Sequence, residues 1–330
     1  MDQQNENIEF KGTREYLHHW DEFFEEWSKG ESHQKKLLEN DKIWSKHKGT
    51  EWETNEGKKR STKLEPDAFP QPYLGNIDDH SVITLNLNPS RSKKYGYENF
   101  KEPVLDSSYK YNQYAESFPT YDTHPFWKKQ DDWIDSIFKK ILVEEILVEE
   151  KLYQYNPETK KKEKLKPFAI EICPWGSKKF QNLKIKKDDS LIEYMDHYVF
   201  DVIEKVIEHS KLKIVLSVGK AYYDIFNDSS TFIKLEEISS KLFDEEFTFL
   251  EDDYKTYNNC LEKSKEYEPE EKMTAIPYNW PMKFIKRTFS IWKRGEVLYL
   301  NSYASGSNTP PADHFDEIQN KLITKYLNKL

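Results

Sequence analysis

The stretch KIVLSVGKAYYDIF, residues 213–226, limits most sharply what this chain can fold into. It is a near-continuous apolar run that stops on Gly219 and passes directly into helical spacing. A strand wet on one face alternates apolar and polar residues, whereas a strand covered on both faces reads as a continuous run. Comparable runs with polar stops occur in SVITLNLNPSRS (81–92) and PFAIEICPWG (167–176), the latter followed by a predicted helix from about Ser190 to His209. TFSIWKRGEVLYLN (288–301) offers two strands joined through Arg294-Gly295, ahead of an amphipathic C-terminal helix carrying Phe315, Ile318, Leu322, Tyr326 and Leu327. Strands and helices alternating at this spacing predict an α/β fold with a parallel sheet covered by helices on both faces.

Around that core, residues 12–48 place Tyr16, Trp20, Phe23, Phe24 and Trp27 at helical spacing, with a second helix around Leu37–Trp44. Residues 50–75, polar and containing Pro66, Pro70 and Pro72, read as a loop. Residues 1–75 are thus expected to form a helical cap packed on a core domain spanning 76–330. Two insertions are expected in that domain, at about 93–165 and about 228–280. The first opens on a loop, 93–126, with nine aromatics from Tyr95 to Phe126, and loops that long are usually functional. Pro125 then suits the start of a helix running to about Glu150 through the tandem ILVEEILVEE. The lysine-rich NPETKKKEKLK follows as a turn, and the acidic second insertion predicts no definite structure.

Charge is unevenly placed. The net charge is −9, yet residues 228–271 hold fourteen Asp or Glu against five Lys, so the rest of the chain sums to zero. Residues 160–187 hold ten Lys against two acids, a local +8. Phosphates respond to potential within a Debye length of roughly 8–10 Å, so the total does not exclude nucleic acid. With 36% apolar residues and 15% aromatics, the core must draw heavily on Tyr, Phe and Trp. Two cysteines, Cys173 and Cys260, cannot supply a disulfide framework or the thiolates of an iron–sulfur cluster. The first residues are polar, and no apolar run approaches the roughly 18 residues of a membrane span. The expectation is a cytoplasmic chain without secretory signal or membrane segment.

Several chemistries are not supported. The nine histidines lack metal-site spacing, GKA at 219–221 lacks the glycines of a phosphate loop, and no GxSxG elbow is present. No metal and no cofactor are expected. In open α/β sheets, ligands bind beyond the carboxyl ends of strands. Those ends are Asn86 to Ser90, Glu171 to Ser177, Gly219-Lys220 and Asn301 to Ser307.

Taken in order, ITLNLNPSRS, AIEICPWGSKKF, KIVLSVGKAYYDIF and LYLNSYASGSN resemble the motif loops of the uracil-DNA glycosylase superfamily, in its mismatch-specific and single-strand-selective branches. The resemblance covers residues 80 to 310 with long insertions. It implies a mainly parallel four-stranded sheet between helices and a monofunctional DNA glycosylase without cofactor, acting on duplex or single-stranded DNA with the target base flipped out; a monomer is expected. Asn88 matches the asparagine that orients the hydrolytic water, with Pro89, Ser90 and Arg91 shaping a phosphate-contacting loop. Asn301 and Ser302 fall where the leaving base is hydrogen-bonded. The His-Pro-Ser pattern is missing there, and Ser305 and Ser307 in the longer loop are the further contacts. Lys220, Ser177, Lys178 and Lys179 would meet the DNA backbone, and Phe118, Tyr121 and Trp175 are the candidates to stack on the base.

Glu171 occupies the place of the family's pyrimidine-reading asparagine. An ionised carboxylate only accepts hydrogen bonds, so it would repel uracil O4 and favour the amino group of cytosine. This holds provided Glu171 faces the pocket, since a slip of one residue turns a strand side chain to the other face. The function expected is removal of a modified cytosine-type base, as in defence against bacteriophage. The alternatives are a uracil or mismatch glycosylase of base-excision repair, or a catalytically silent nucleic-acid-binding protein of the same fold.

Overall fold

The structure is a computed structural model that describes residues 13–41, 43–46, 51–53, 59–61, 64–66, 70–87, 111–117, 125–138, 142–143, 146–147, 152–176, 189–239, 287–304 and 323–326. It is an α/β protein. Seven strands form one mixed sheet: β1 (Tyr73–Leu74), β2 (Ile83–Asn86), β3 (Phe168–Glu171), β4 (Ile214–Val218), β5 (Ile233–Ser239), β6 (Arg287–Arg294) and β7 (Val297–Ala304). Their spatial order is β5-β6-β7-β4-β2-β3-β1. β2 and β3 pair in parallel, and β1 joins β3 antiparallel, as β5 joins β6. The chain enters β4 beside β2 through a parallel bridge between His80 and Ser210. Along β4 and β7, Leu298 N donates to Lys213 O and Gly219 N to Ser302 O, the positions rising together as in a parallel ladder. The α/β class is as expected, but the sheet is mixed and has seven strands where four were expected.

The chain divides into two compact units, described separately: Met1–Lys128, Glu150–Leu216 and Arg294–Tyr299 in one, and Lys129–Glu149, Ser217–Lys293 and Leu300–Leu330 in the other. In the first, α1 (Thr13–Trp27) buries Tyr16, Trp20, Phe24 and Trp27 and exposes His18, Glu22 and Glu25, the split that 3.6-residue periodicity dictates. It packs into an aromatic core in which Phe24 stacks on Tyr111 of α3 (Tyr111–Ser117) at 4.1 Å and Tyr73 stacks on Phe168 at 5.4 Å. α2 (Glu31–Asn40) follows α1, and Trp27 Nε1 reaches back to Pro66 O at 3.0 Å. Residues 189–209 are helical, as expected, but consist of α5 (Asp189–Met195), a π-turn (Asp196–Phe200), α6 (Asp201–Val206) and a final 3₁₀ turn. Arg294 ties α6 down, donating to Asp201 at 2.7 Å and Glu204 at 2.6 Å.

In the second unit, α7 (Lys220–Asp228) buries Tyr222, Ile225 and Phe226. Phe226 stacks on Phe232 at 4.7 Å and meets Trp292 at 6.1 Å. A surface triad beside them links Lys234, Tyr223 and Glu237, with Lys234 Nζ 2.8 Å from the Tyr223 hydroxyl and 2.6 Å from the carboxylate.

Three local readings change. The helix from Pro125 does not reach Glu150: α4 stops at Phe138, and ILVEEILVEE contributes the antiparallel strands Leu142–Val143 and Ile146–Leu147. Branched residues on either side of a Glu-Glu pair favour a hairpin over continued helix. NPETKKKEKLK is likewise no simple turn, because Tyr153–Asn156 pairs with Lys161–Lys164 around Lys160, whose φ is 56°. In the 50–75 segment, Glu51–Glu53 pairs with Lys59–Ser61 and Tyr73–Leu74 supplies the sheet's edge. No helix among the described residues is long and apolar enough to cross a membrane.

Candidate functional site

The carboxyl ends of β2 and β3 place Asn86 directly opposite Glu171 in a parallel register. Paired positions on neighbouring strands share a face, and both side chains are buried, Asn86 at 7% and Glu171 at 6% exposure. The strand end is held on both sides by main-chain bonds. Ile172 N donates to Asn86 O at 2.8 Å and Cys173 N to Leu87 O at 2.9 Å; on the other side Glu171 N donates to Pro72 O at 2.9 Å. Gln71 N to Pro174 O (2.9 Å) and Glu65 N to Gly176 O (3.0 Å) continue this clamp along the loop. These bonds fix the main chain from Glu171 to Gly176.

Burial pushes the Glu171 carboxyl well above the usual carboxylate range, and a hydrogen bond with the Asn86 amide only partly offsets this. Glu171 Oε2 has no hydrogen-bond partner among the described residues. The expectation of an ionised carboxylate is thereby corrected: the environment favours the neutral acid, with one O–H donor and a free acceptor. Burial also raises the Cys173 thiol, whose Sγ lies 3.7 Å from Trp175 O, so it offers no thiolate nucleophile. Among the described residues no cluster of three or more His, Cys, Asp or Glu side chains is arranged to hold a metal.

Trp175 is fully buried, its Nε1 bonded to Asp41 Oδ2 at 3.2 Å and its ring edge-on to Phe23. Lys220 is exposed at the start of α7 and paired with Asp224 at 2.6 Å. Asn301 is fully buried, accepting from Ser217 Oγ at 2.9 Å, and Ser302 is buried with its carbonyl on Gly219 N. Asn301 thus serves as a tie between strand ends. Asn88, Ser90, Arg91, Phe118, Tyr121, Ser177, Lys178, Lys179, Ser305 and Ser307 lie outside the described residues.

The sequence marks Asn86 only as the start of a strand-end loop and assigns it no role of its own. Its signal was being the polar last residue of an apolar strand, and the parallel register that sets it against Glu171 has no trace in local pattern. Compared with known proteins, the chain matches no family model, no curated protein and no solved structure.

Proposed function

We propose that the chain is a monofunctional DNA glycosylase, similar to the uracil-DNA glycosylase superfamily, that removes a flipped, modified cytosine-type base and leaves an abasic site. The observation that carries this reading is the buried Glu171 carboxyl, in register with Asn86, at the carboxyl ends of two parallel strands. Strand order supports it. From β2 the sheet grows first to β3 on one side and then to β4 and β7 on the other. The carboxyl end of such a strand is where an open α/β sheet leaves its binding crevice.

The neutral acid suits the chemistry. Its O–H donates to cytosine N3 while its carbonyl oxygen accepts from the exocyclic amino group. As the N-glycosidic bond breaks, its electron pair passes to the base, and the hydrogen bond donated by the Glu171 O–H strengthens against that growing charge. Water adds to the oxocarbenium-like sugar carbon and loses its proton, and the departing base anion gains one. Because the sugar is already strongly electrophilic, an amide at Asn88 suffices to orient the water. This leaving-group help from Glu171 replaces what the absent His-Pro-Ser pattern would supply. The lysines of 160–187 would bind the DNA backbone, and a bulky modified cytosine of phage DNA is the substrate proposed.

The test is incubation with duplex and single-stranded oligonucleotides carrying cytosine, 5-hydroxymethylcytosine, glucosylated hydroxymethylcytosine or uracil, followed by alkali. Scission at a modified cytosine is the expected result. No scission on any substrate rules the hydrolase out.

A further inference from the structure

The first unit encloses a second feature that the base-removal chemistry does not use. α1, the end of α2, the Pro174-Trp175 loop and the helical residues Tyr194 and Tyr198 surround a cavity of about 50 Å³, measured as space open to the centre of a water-sized sphere. Its walls are aromatic and stand at steep angles to each other. Phe23 meets Trp20 at 5.3 Å and 70°, and Trp175 at 5.5 Å and 73°. Tyr194 and Tyr198 stack at 4.7 Å to form a further wall. Asp41 supplies the charge. Its Oδ2 accepts from Trp175 Nε1 at 3.2 Å, and its Oδ1 from Trp44 N at 2.8 Å and Ile43 N at 3.0 Å. Three N–H donors thus converge on that carboxylate. Among the described residues no lysine or arginine lines the cavity, and burial lowers the pKa of His19 in its wall to about 4.

We propose that this aromatic cavity binds the trimethylammonium head of a small soluble cation such as choline. Ring faces attract a cation through their quadrupoles, and a half-buried carboxylate adds to the attraction. Size selects within that class. At ~10–15 Å³ per water on this measure the cavity holds about four waters, the room needed by a nitrogen and its three methyls and too little for a nucleobase. Exposed Asn40, at the end of α2, is part of the lining, so the rest of such a ligand has a route to solvent.

Calorimetric titration of the full chain with choline, and with its neutral carbon isostere 3,3-dimethylbutan-1-ol, separates charge from shape. Choline is expected to bind at least tenfold more tightly than the isostere. Asp41→Asn should weaken choline about tenfold, and Tyr198→Leu, which spares the Asp41 turn, severalfold in a protein with an unchanged circular dichroism spectrum. Equal affinity for the isostere, no heat with choline, or unchanged choline affinity in Tyr198→Leu would overturn the proposal. Tighter binding of a trimethyl-lysine peptide than of choline would overturn its assignment to a small molecule. None of these outcomes depends on whether the chain cleaves glycosidic bonds.

Discussion

Glu171 and His80 are both buried titratable groups, and their effects on stability run in opposite directions with pH. Folded Glu171 keeps its proton to a higher pH than the unfolded chain does. Its contribution is fully present below the unfolded carboxyl pKa of about 4.3 and is lost as pH rises through the folded value. Glu171→Gln, uncharged throughout, should therefore raise the melting temperature at pH 8 and do so less at pH 5; an equal gain at both would show that the carboxyl ionises normally. His80 is wholly buried, its Nδ1 is 3.1 Å from Asn76 O, and burial lowers its pKa to about 4. As pH falls from about 6.5, the unfolded chain takes up a proton that the folded one refuses, and stability drops by up to about 1.4 kcal/mol per pH unit. His80→Phe should flatten the denaturation-derived stability slope between pH 6.5 and 4.5 by about that amount. Glu171 was legible from the sequence as a charged residue ending an apolar strand. Its protonation state was not, because that depends on what covers it.

The elements show which signals survive without tertiary context. β2, β3 and β4 were legible as apolar runs with polar stops, and α1 as an aromatic stripe, since burial itself writes those patterns. The edges were not. β1 is two residues long, too short for any period, and β5 carries Lys234, Glu236 and Glu237 within a segment whose acidity masks its pairing with β6. The short hairpin in ILVEEILVEE escaped because its run of apolar and acidic residues also fits a helix. Gly75 shows how strictly the edge is built. Its φ is +99°, and an added Cβ would lie 2.7 Å from Pro167 O. Gly75→Ala should thus cost about 2 kcal/mol or more, from backbone strain plus a clash with main chain that cannot turn aside. Urea denaturation checks this, and a loss below about 0.5 kcal/mol, the range of ordinary surface changes, would show that the β1–β3 edge shifts freely.

For the whole molecule, acid and base are segregated along the sequence rather than averaged: a net −9 lies in residues 228–271 and a local +8 in residues 160–187. The lysine hairpin Lys161–Lys164 leads directly toward β3, whose last residue is Glu171. A polyanion attracted to those lysines is drawn to the strand that carries the proposed reading group. The inner strands, their order and the clamped loop after β3 converge on Glu171 as the proposed base-reading residue. The most direct measurement is the rate of abasic-site formation by the wild type and by Glu171→Asn on paired substrates, modified cytosine against uracil. The wild type is expected to favour the modified cytosine, and Glu171→Asn to shift the ratio toward uracil by at least tenfold, because an amide pairs with uracil O4 and N3–H. An unchanged ratio in an active variant, or no abasic site from the wild type on either substrate, would contradict base reading by Glu171.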